Sequence, residues 1–354
     1  MPFRLLYKIP LVMGLALLGA CASQTPTADE EPVSPQVDVQ PEVKHPERPF
    51  PEDSLYDLLV AEFALRRREY NTALETYLAL TPELNDPGIS SHATHLSQFM
   101  ERDEDTLAAA QLWVSQEPDN IEARAIVAQQ LVRGGNNLEA MQHLAAIERA
   151  GGSANFAIVS RNFNQLSPRD RSKIVIELNT LNAEFPNNGS LLLTQALLHN
   201  ELGQNDLALS KLAQLFELEP DQHQALLLEA KILAETGAKD PYKRVEKALK
   251  ENPEDRALRL RYARLLAATD MVAARGQFEI LSAGAPRDGD LLFSLALINR
   301  EVGDPTAASA YLRQLLLLEQ REDEAHYYLG RIEEDREHFE DALLHYQNVG
   351  SGEE

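Results

Sequence analysis

The sequence offers little for disulfide, zinc or nucleic-acid chemistry. Cysteine occurs once, at Cys21, so the chain can form neither an internal disulfide nor a cysteine-based zinc site. Basic residues are few, with 33 Lys and Arg against 56 Asp and Glu, which gives a formal net charge of −23. A surface of that sign repels nucleic-acid phosphates and anionic lipid headgroups. We therefore exclude nucleic acid as a partner and surface charge as a means of membrane attachment.

Long hydrophobic runs and aromatic residues are also scarce. Aromatics make up 6% of the chain, whereas Leu, Ala, Glu and Arg are abundant, which favours amphipathic helices. The uncharged stretch 9–20 follows Arg4 and Lys8, and its twelve residues are too few for a bilayer, which needs about 20. A basic start, a short apolar stretch and small residues at its end predict a signal peptide over residues 1–20.

The end of that stretch, Leu18-Gly19-Ala20-Cys21, resembles the bacterial lipobox, in which the cysteine is lipidated after the signal is cut. The alternative is an ordinary signal peptide that happens to contain a cysteine. Several acyl chains on Cys21 would hold the protein on a membrane almost permanently. Because Ala22 and not Asp follows, the resemblance implies the periplasmic face of the outer membrane.

Residues 21–53 are expected to form a disordered tether behind the lipidated cysteine. The segment holds seven prolines, eight acidic residues and few large apolar ones. It cannot bury enough surface to offset the entropy of ordering. Its reach lies between roughly 30 Å as a flexible coil and roughly 100 Å as extended polyproline II.

From Ser54 onward, mostly small residues recur every 33 or 34 positions. The first column reads Ala61, Thr94, Ala128, Asn162, Ala196, Ala230, Ala263, Ala296 and Gly330. The second, twelve residues later in the typical unit, reads Ala73, Thr106, Ala140, Ile174, Ala208, a blurred point near Pro241, Ala274, Ala308 and Ala342. Small residues at such intervals predict paired helices that pack closely against their neighbours.

The columns resemble the tetratricopeptide-repeat (TPR) family, whose unit is about 34 residues of helix, turn and helix. Prolines that would end second helices support this: Pro118, Pro186, Pro220, Pro253 and Pro286. We predict an all-α, right-handed TPR superhelix of about nine repeats over residues 54–349, with a tail at 350–354. The fourth unit, near 155–186, is a degenerate repeat or an irregular insert. The sixth is degenerate, and Asp240-Pro241 predicts a shortened second helix.

No motif for catalysis, a cofactor or a metal is found. Zinc-protease, P-loop, dinucleotide-loop and nucleophile-elbow patterns do not occur. His92 and His95 have metal-ligand spacing on a predicted helix, but no third ligand is evident, so a packing or surface role is favoured. The acidic run Glu333-Glu334-Asp335 is interpreted as a solvated helix face. We expect a non-catalytic protein.

A TPR array presents a groove lined by its first helices. Registering the repeats predicts a groove stripe of polar, basic and aromatic residues: Gln129, Phe163, Asn200, Lys231, Arg264, Phe293, Arg300, Tyr327 and Arg331. Such a stripe can bind an extended peptide or a carboxylate by charge-assisted hydrogen bonds. The alternative is that these arginines pair with neighbouring acidic residues.

Several strings carry a narrower resemblance: Asp86-Pro87-Gly88, Glu117-Pro118-Asp119-Asn120, Phe185-Pro186-Asn187-Asn188-Gly189, Arg261-Tyr262-Ala263-Arg264-Leu265-Leu266 and Phe293-Ser294-Leu295-Ala296-Leu297. They resemble the pseudomonad outer-membrane TPR lipoproteins that act as adaptors of a periplasmic carboxyl-terminal processing protease. The resemblance implies a scaffold that binds the protease and its peptidoglycan-hydrolase substrates and so regulates cell-wall turnover. The second hypothesis is a TPR lipoprotein that assembles an outer-membrane secretin, β-barrel or exopolysaccharide exporter.

Those adaptors continue through further repeats. Here no polar capping helix follows the ninth unit, although solenoids need one for solubility. We expect either that the chain is part of a longer protein or that a partner covers this end.

Overall fold

The computed structural model describes residue 51 and residues 54–350, and within them it contains seventeen α-helices, two 3-10 helices and no strand. The predicted signal peptide, the Cys21 anchor and nearly all of the predicted tether lie outside the described residues, as does the tail after Gly350. In chain order the α-helices are α1 (Ser54–Arg66), α2 (Tyr70–Leu84), α3 (Pro87–Phe99), α4 (Asp103–Gln116), α5 (Ile121–Arg133), α6 (Asn137–Arg149), α7 (Pro168–Glu184), α8 (Gly189–Glu201), α9 (Asn205–Leu218), α10 (His223–Glu235), α11 (Lys243–Glu251), α12 (Arg256–Ala267), α13 (Met271–Ala283), α14 (Gly289–Glu301), α15 (Pro305–Leu317), α16 (Glu322–Asp335) and α17 (Phe339–Gln347).

The helices pair as the repeat columns predict. Seven pairs have three-residue turns between their helices, and left-handed glycines such as Gly135 and Gly203 provide positive φ angles there. Side-chain caps fix several helix starts, as where Asp304 accepts a hydrogen bond from the backbone N–H of Ala307 at 2.9 Å. Prolines follow the ends of α4, α7, α9, α11 and α13, as predicted. The all-α repeat fold is thereby confirmed.

The two columns of small residues lie in the seams between helices. Fully or almost fully buried members are Ala61, Ala128, Ala196, Ala230, Ala263 and Ala296 in first helices, and Ala73, Ala140, Ala208, Ala274, Ala308 and Ala342 in second helices. At Gly330 a Cβ atom would lie 2.6 Å from Cε1 of Tyr346, closer than side chains approach. The recurring small side chains therefore set how closely the helices pack.

The fourth unit lacks its first α-helix. Two 3-10 helices, Phe156–Ser160 and Phe163–Gln165, stand in its place before the long helix α7. Asn162 is exposed with a φ of 56°, so its predicted place in a helix seam is wrong. An asparagine tolerates this left-handed conformation, and Pro168 at the start of α7 cannot continue a preceding helix.

Buried phenylalanines fill the space that the missing helix would occupy. Phe156 and Phe163 are at most 1% exposed and join the core cluster that also contains residues of α5, α6 and α8. The side chain of Asn137 donates a hydrogen bond to the carbonyl of Val159 at 2.7 Å, which anchors the first 3-10 helix. The prediction that Phe163 lines a binding groove is therefore wrong, because that side chain is part of the core.

The sixth unit shows the predicted shortening of its second helix. Helix α11 has nine residues, against thirteen to seventeen in most second helices. The chain between α10 and α11 contains Pro241, which lacks the backbone N–H that a helix interior needs. The unit keeps its place in the array because Val245 and Leu249 of α11 are buried in the core.

Candidate protein-binding cluster

Four aromatic side chains of the eighth and ninth units contact one another. The ring of Phe293 on α14 meets the ring of Tyr328 on α16 edge to face, with centroids 5.6 Å apart. Tyr327 meets Tyr328 edge to face at 5.2 Å and lies 6.3 Å from Tyr346 on α17. Such arrangements suit the ring quadrupoles and extend apolar area across three helices.

Three arginines contact these rings. The guanidinium of Arg300 lies 5.0 Å from the ring centre of Tyr328, and that of Arg321 lies 4.5 Å from Phe293. The third, Arg331, interacts with the Tyr327 hydroxyl, which is the main cause of a raised Arg331 pKa. We call the set of seven side chains the aromatic–arginine cluster: Phe293, Arg300, Arg321, Tyr327, Tyr328, Arg331 and Tyr346.

Local structure holds the cluster in place. Asp288 caps α14 by accepting hydrogen bonds from the N–H groups of Asp290 and Leu291, which fixes the helix that carries Phe293. The absence of a side chain at Gly330 lets the Tyr346 ring pack directly on α16. The Tyr346 hydroxyl donates to Glu334 at 2.7 Å. Burial and this bond raise the pKa of Tyr346 to about 12, so its hydroxyl stays protonated.

The cluster remains open to solvent, and its arginines can bind the carboxylates of a partner. Tyr327 is 42% exposed, and Arg331 is also exposed. Acidic neighbours do pair with the arginines: Arg300 with Glu301 at 2.7 Å, Arg321 with Asp290 at 3.1 Å and Arg331 with Glu334 at 3.7 Å. Exposed ion pairs of this kind contribute only about 0–1 kcal/mol to stability. A carboxylate of a partner can therefore take the place of the acidic neighbour. Both readings of these arginines, as ion-pair partners and as binding groups, are therefore compatible with the geometry.

The other predicted groove residues lie in separate units. Gln129, Lys231 and Arg264 are exposed on α5, α10 and α12, each one position after a buried alanine of the first column. Lys231 is 3.8 Å from Glu235, while no ion pair of Arg264 is found within residues 54–350. Asn200 is half-buried and donates to the Asn205 side chain at 3.3 Å. These four residues stay a prediction, since no contact joins them to the cluster.

Three cluster members were not predicted as binding residues. Tyr328 follows Tyr327 directly, and the pairing of adjacent tyrosines on one helix is a signal that could have indicated it. Tyr346 lies on a second helix, whereas the groove stripe was predicted from first helices alone. Arg321 precedes α16 in a left-handed conformation, with a φ of 50°, which no spacing rule reveals.

The histidines with metal-ligand spacing make other contacts. The His92 ring stacks on Tyr77 with centroids 5.7 Å apart, and Nε2 of His95 lies 3.0 Å from Glu122. These contacts agree with the packing and surface roles favoured from the sequence. Within residues 54–350, no helix has the length and apolar character needed to cross a bilayer.

Comparison with known proteins supports the repeat assignment. A TPR repeat-containing protein of Pseudomonas aeruginosa is 34% identical over 264 residues, which cover 72% of this chain. The fold is a tetratricopeptide-repeat array. This chain spans 44% of the length of that relative, and no family model matches the sequence.

Solved structures give more distant likenesses. A tetratricopeptide-repeat protein from Parabacteroides merdae aligns with a TM-score of 0.43 and 16% identity, over 75% of this chain and 94% of that one. Yeast Tom70 aligns with a TM-score of 0.35 and 14% identity, over 84% of this chain and 75% of Tom70.

Proposed function

We propose that this chain is a non-catalytic scaffold that binds protein partners at the aromatic–arginine cluster. The observation that carries the proposal is the meeting of exposed tyrosine and arginine side chains on one surface of a strongly acidic protein. Tyrosine and arginine are enriched among the residues that dominate binding energy at protein interfaces. Repeat arrays also present extended surfaces suited to protein partners.

The partner we propose is a periplasmic carboxyl-terminal processing protease, together with the peptidoglycan hydrolases that it degrades. The support is the resemblance of the sequence strings to adaptors of such proteases and the 34% identity to the Pseudomonas TPR protein. Guanidinium groups bind carboxylates by paired, charge-assisted hydrogen bonds, which suits the end of a polypeptide or an acidic segment. By bringing protease and hydrolase together, the scaffold would promote hydrolase breakdown and so regulate cell-wall turnover.

Affinity capture tests the identity of the partner. The full-length protein should be captured from its own envelope, extracted in mild detergent, and the bound proteins identified by mass spectrometry. We expect a processing protease and at least one cell-wall hydrolase, and deletion of the scaffold gene should raise the level of that hydrolase. Capture of an outer-membrane β-barrel or secretin with unchanged hydrolase levels would support the assembly-factor hypothesis and reject the adaptor.

We propose that Cys21 anchors the scaffold to the periplasmic face of the outer membrane. Replacing Cys21 by Ser should move the protein from the membrane fraction to the soluble periplasm, since the hydroxyl cannot take the place of the thiol in lipidation. Fractionation after osmotic shock, followed by immunoblotting, measures this. If the serine variant stays with the outer membrane after a high-salt wash, the anchor is not Cys21.

A further inference from the structure

A polar cavity of about 460 Å³ lies beside the last two helices. Its lining residues come from α15, α16, α17 and the turn after α17: Arg313, His326, Glu333, Asp341, Leu344, His345 and Asn348. Two of the chain's nine histidines and two carboxylates line this cavity. Imidazole and carboxylate together form the ligand set of many divalent transition-metal sites.

The two histidines of the cavity have the spacing of metal ligands. Nδ1 of His326 on α16 lies 3.0 Å from Nδ1 of His345 on α17. Two nitrogens bound to one zinc ion at 2.0–2.1 Å lie roughly 2.9–3.4 Å apart, depending on the coordination angle.

Asp341 is the candidate carboxylate ligand. Asp341 lies one helical turn before His345 on α17, so the two side chains project from the same face. A carboxylate oxygen of Asp341 also lies within 4.8 Å of ligand atoms of Glu333 and His338. Asp341 is exposed, and its carboxylate would reach the histidine pair after a change of side-chain rotamer, whereas the Glu333 side chain is only 8% exposed.

Glu333 already contacts Arg336 and His338. Its Oε1 accepts a hydrogen bond from Arg336 at 3.0 Å, and its Oε2 lies 2.8 Å from Nδ1 of His338. These contacts lower the pKa of Glu333, the bond to His338 most of all. The interpretation of Glu333 as part of a solvated acidic face is therefore wrong. Arg313 also lines the cavity, but Arg336 is bonded directly to the Glu333 carboxylate, so we place the ion at the histidine pair and not at Glu333.

We propose that the ninth unit binds one divalent transition-metal ion of the Zn²⁺ class, with His326, His345 and Asp341 as its ligands. The ion would join α16 to α17 and so stabilise the pair that carries Tyr327, Tyr328 and Tyr346. Glu333 would contribute negative charge near the ion without coordinating it. The sequence did not predict this site, because His326 and His345 are nineteen residues apart and on different helices.

Metal titration of the untagged, chelator-treated full chain tests the site. We expect one equivalent of Co²⁺ to give the visible absorption of tetrahedral coordination and Zn²⁺ to displace it. The double variant His326→Gln/His345→Gln should bind Zn²⁺ at least about 100-fold more weakly, since loss of outer partners alone costs 10–100-fold. The matched control His92→Gln/His95→Gln removes two histidines of the same chain and should bind like the wild type.

Two further variants separate the assignments. Asp341→Asn changes an exposed residue, keeps both histidines and should lower the Zn²⁺ affinity at least about tenfold. This variant tests the site even if the double histidine variant loses helicity. His338→Gln should have a smaller effect than the double variant.

If the wild type gives no tetrahedral Co²⁺ spectrum, the two histidines form only a hydrogen bond and the proposal is wrong. It is also wrong if His338→Gln abolishes binding while His326→Gln/His345→Gln retains it.

Discussion

Replacement of Ala128 by Leu is expected to lower the free energy of unfolding by about 2–3 kcal/mol. Ala128 is fully buried in the first column of small residues and belongs to the core cluster formed with α6 and its neighbours. Three additional carbon atoms have no space there, so α5 must shift from its neighbours or the new side chain must adopt a strained rotamer. Because each unit supports the next, the damage should spread to adjacent repeats.

The same helix offers a matched control. Ala125 is exposed on α5, so Ala125→Leu makes the identical chemical change without entering a seam. Its effect should stay within about 0.5 kcal/mol. Urea unfolding followed by circular dichroism compares the two variants, and the midpoint should fall for Ala128→Leu alone. Equal midpoints would mean that small residues at this interval do not set the helix spacing.

The repeat columns predict the fold because steric exclusion at a seam is a local requirement. A single residue type at a fixed interval reports it, as Ala128, Ala196 and Ala263 do. The fourth unit does not follow this pattern. There the seam is filled by Phe156 and Phe163 from 3-10 helices, and long-range packing overrides helical periodicity.

The binding residues were predicted less completely than the fold. Registering the repeats found Phe293, Arg300, Tyr327 and Arg331, because equivalent positions of first helices share one face. It could not find Arg321 or Tyr346, whose places depend on a left-handed backbone and on the space over Gly330. It misassigned Phe163 because the register assumed a helix that the fourth unit does not form. The acidic run at 333–335 was also misinterpreted, since Glu333 is buried and contacts Arg336 and His338, which lie outside the run.

The aromatic–arginine cluster should contribute most of the energy that binds the partner. Tyr327 and Arg331 are its most accessible members, and both are exposed enough for alanine to be tolerated. Removing them takes away a planar apolar surface and a guanidinium at once. The double variant Tyr327→Ala/Arg331→Ala should therefore weaken partner binding at least about tenfold, and more if both are central to the interface.

A control of the same composition lies at the other end of the array. Tyr56 and Arg66 are exposed on α1, so Tyr56→Ala/Arg66→Ala removes the same two residue types away from the cluster. This variant should bind the partner with the affinity of the wild type. Circular dichroism of both variants shows whether the helical content is kept.

The most direct test that the cluster is the binding surface compares the affinity of the purified protease for three proteins: the wild type and the two double variants. Titration calorimetry at fixed salt should give similar dissociation constants for the wild type and Tyr56→Ala/Arg66→Ala. The constant for Tyr327→Ala/Arg331→Ala should be at least about ten times larger. Equal affinity of all three proteins would contradict the account and place the partner elsewhere on the array.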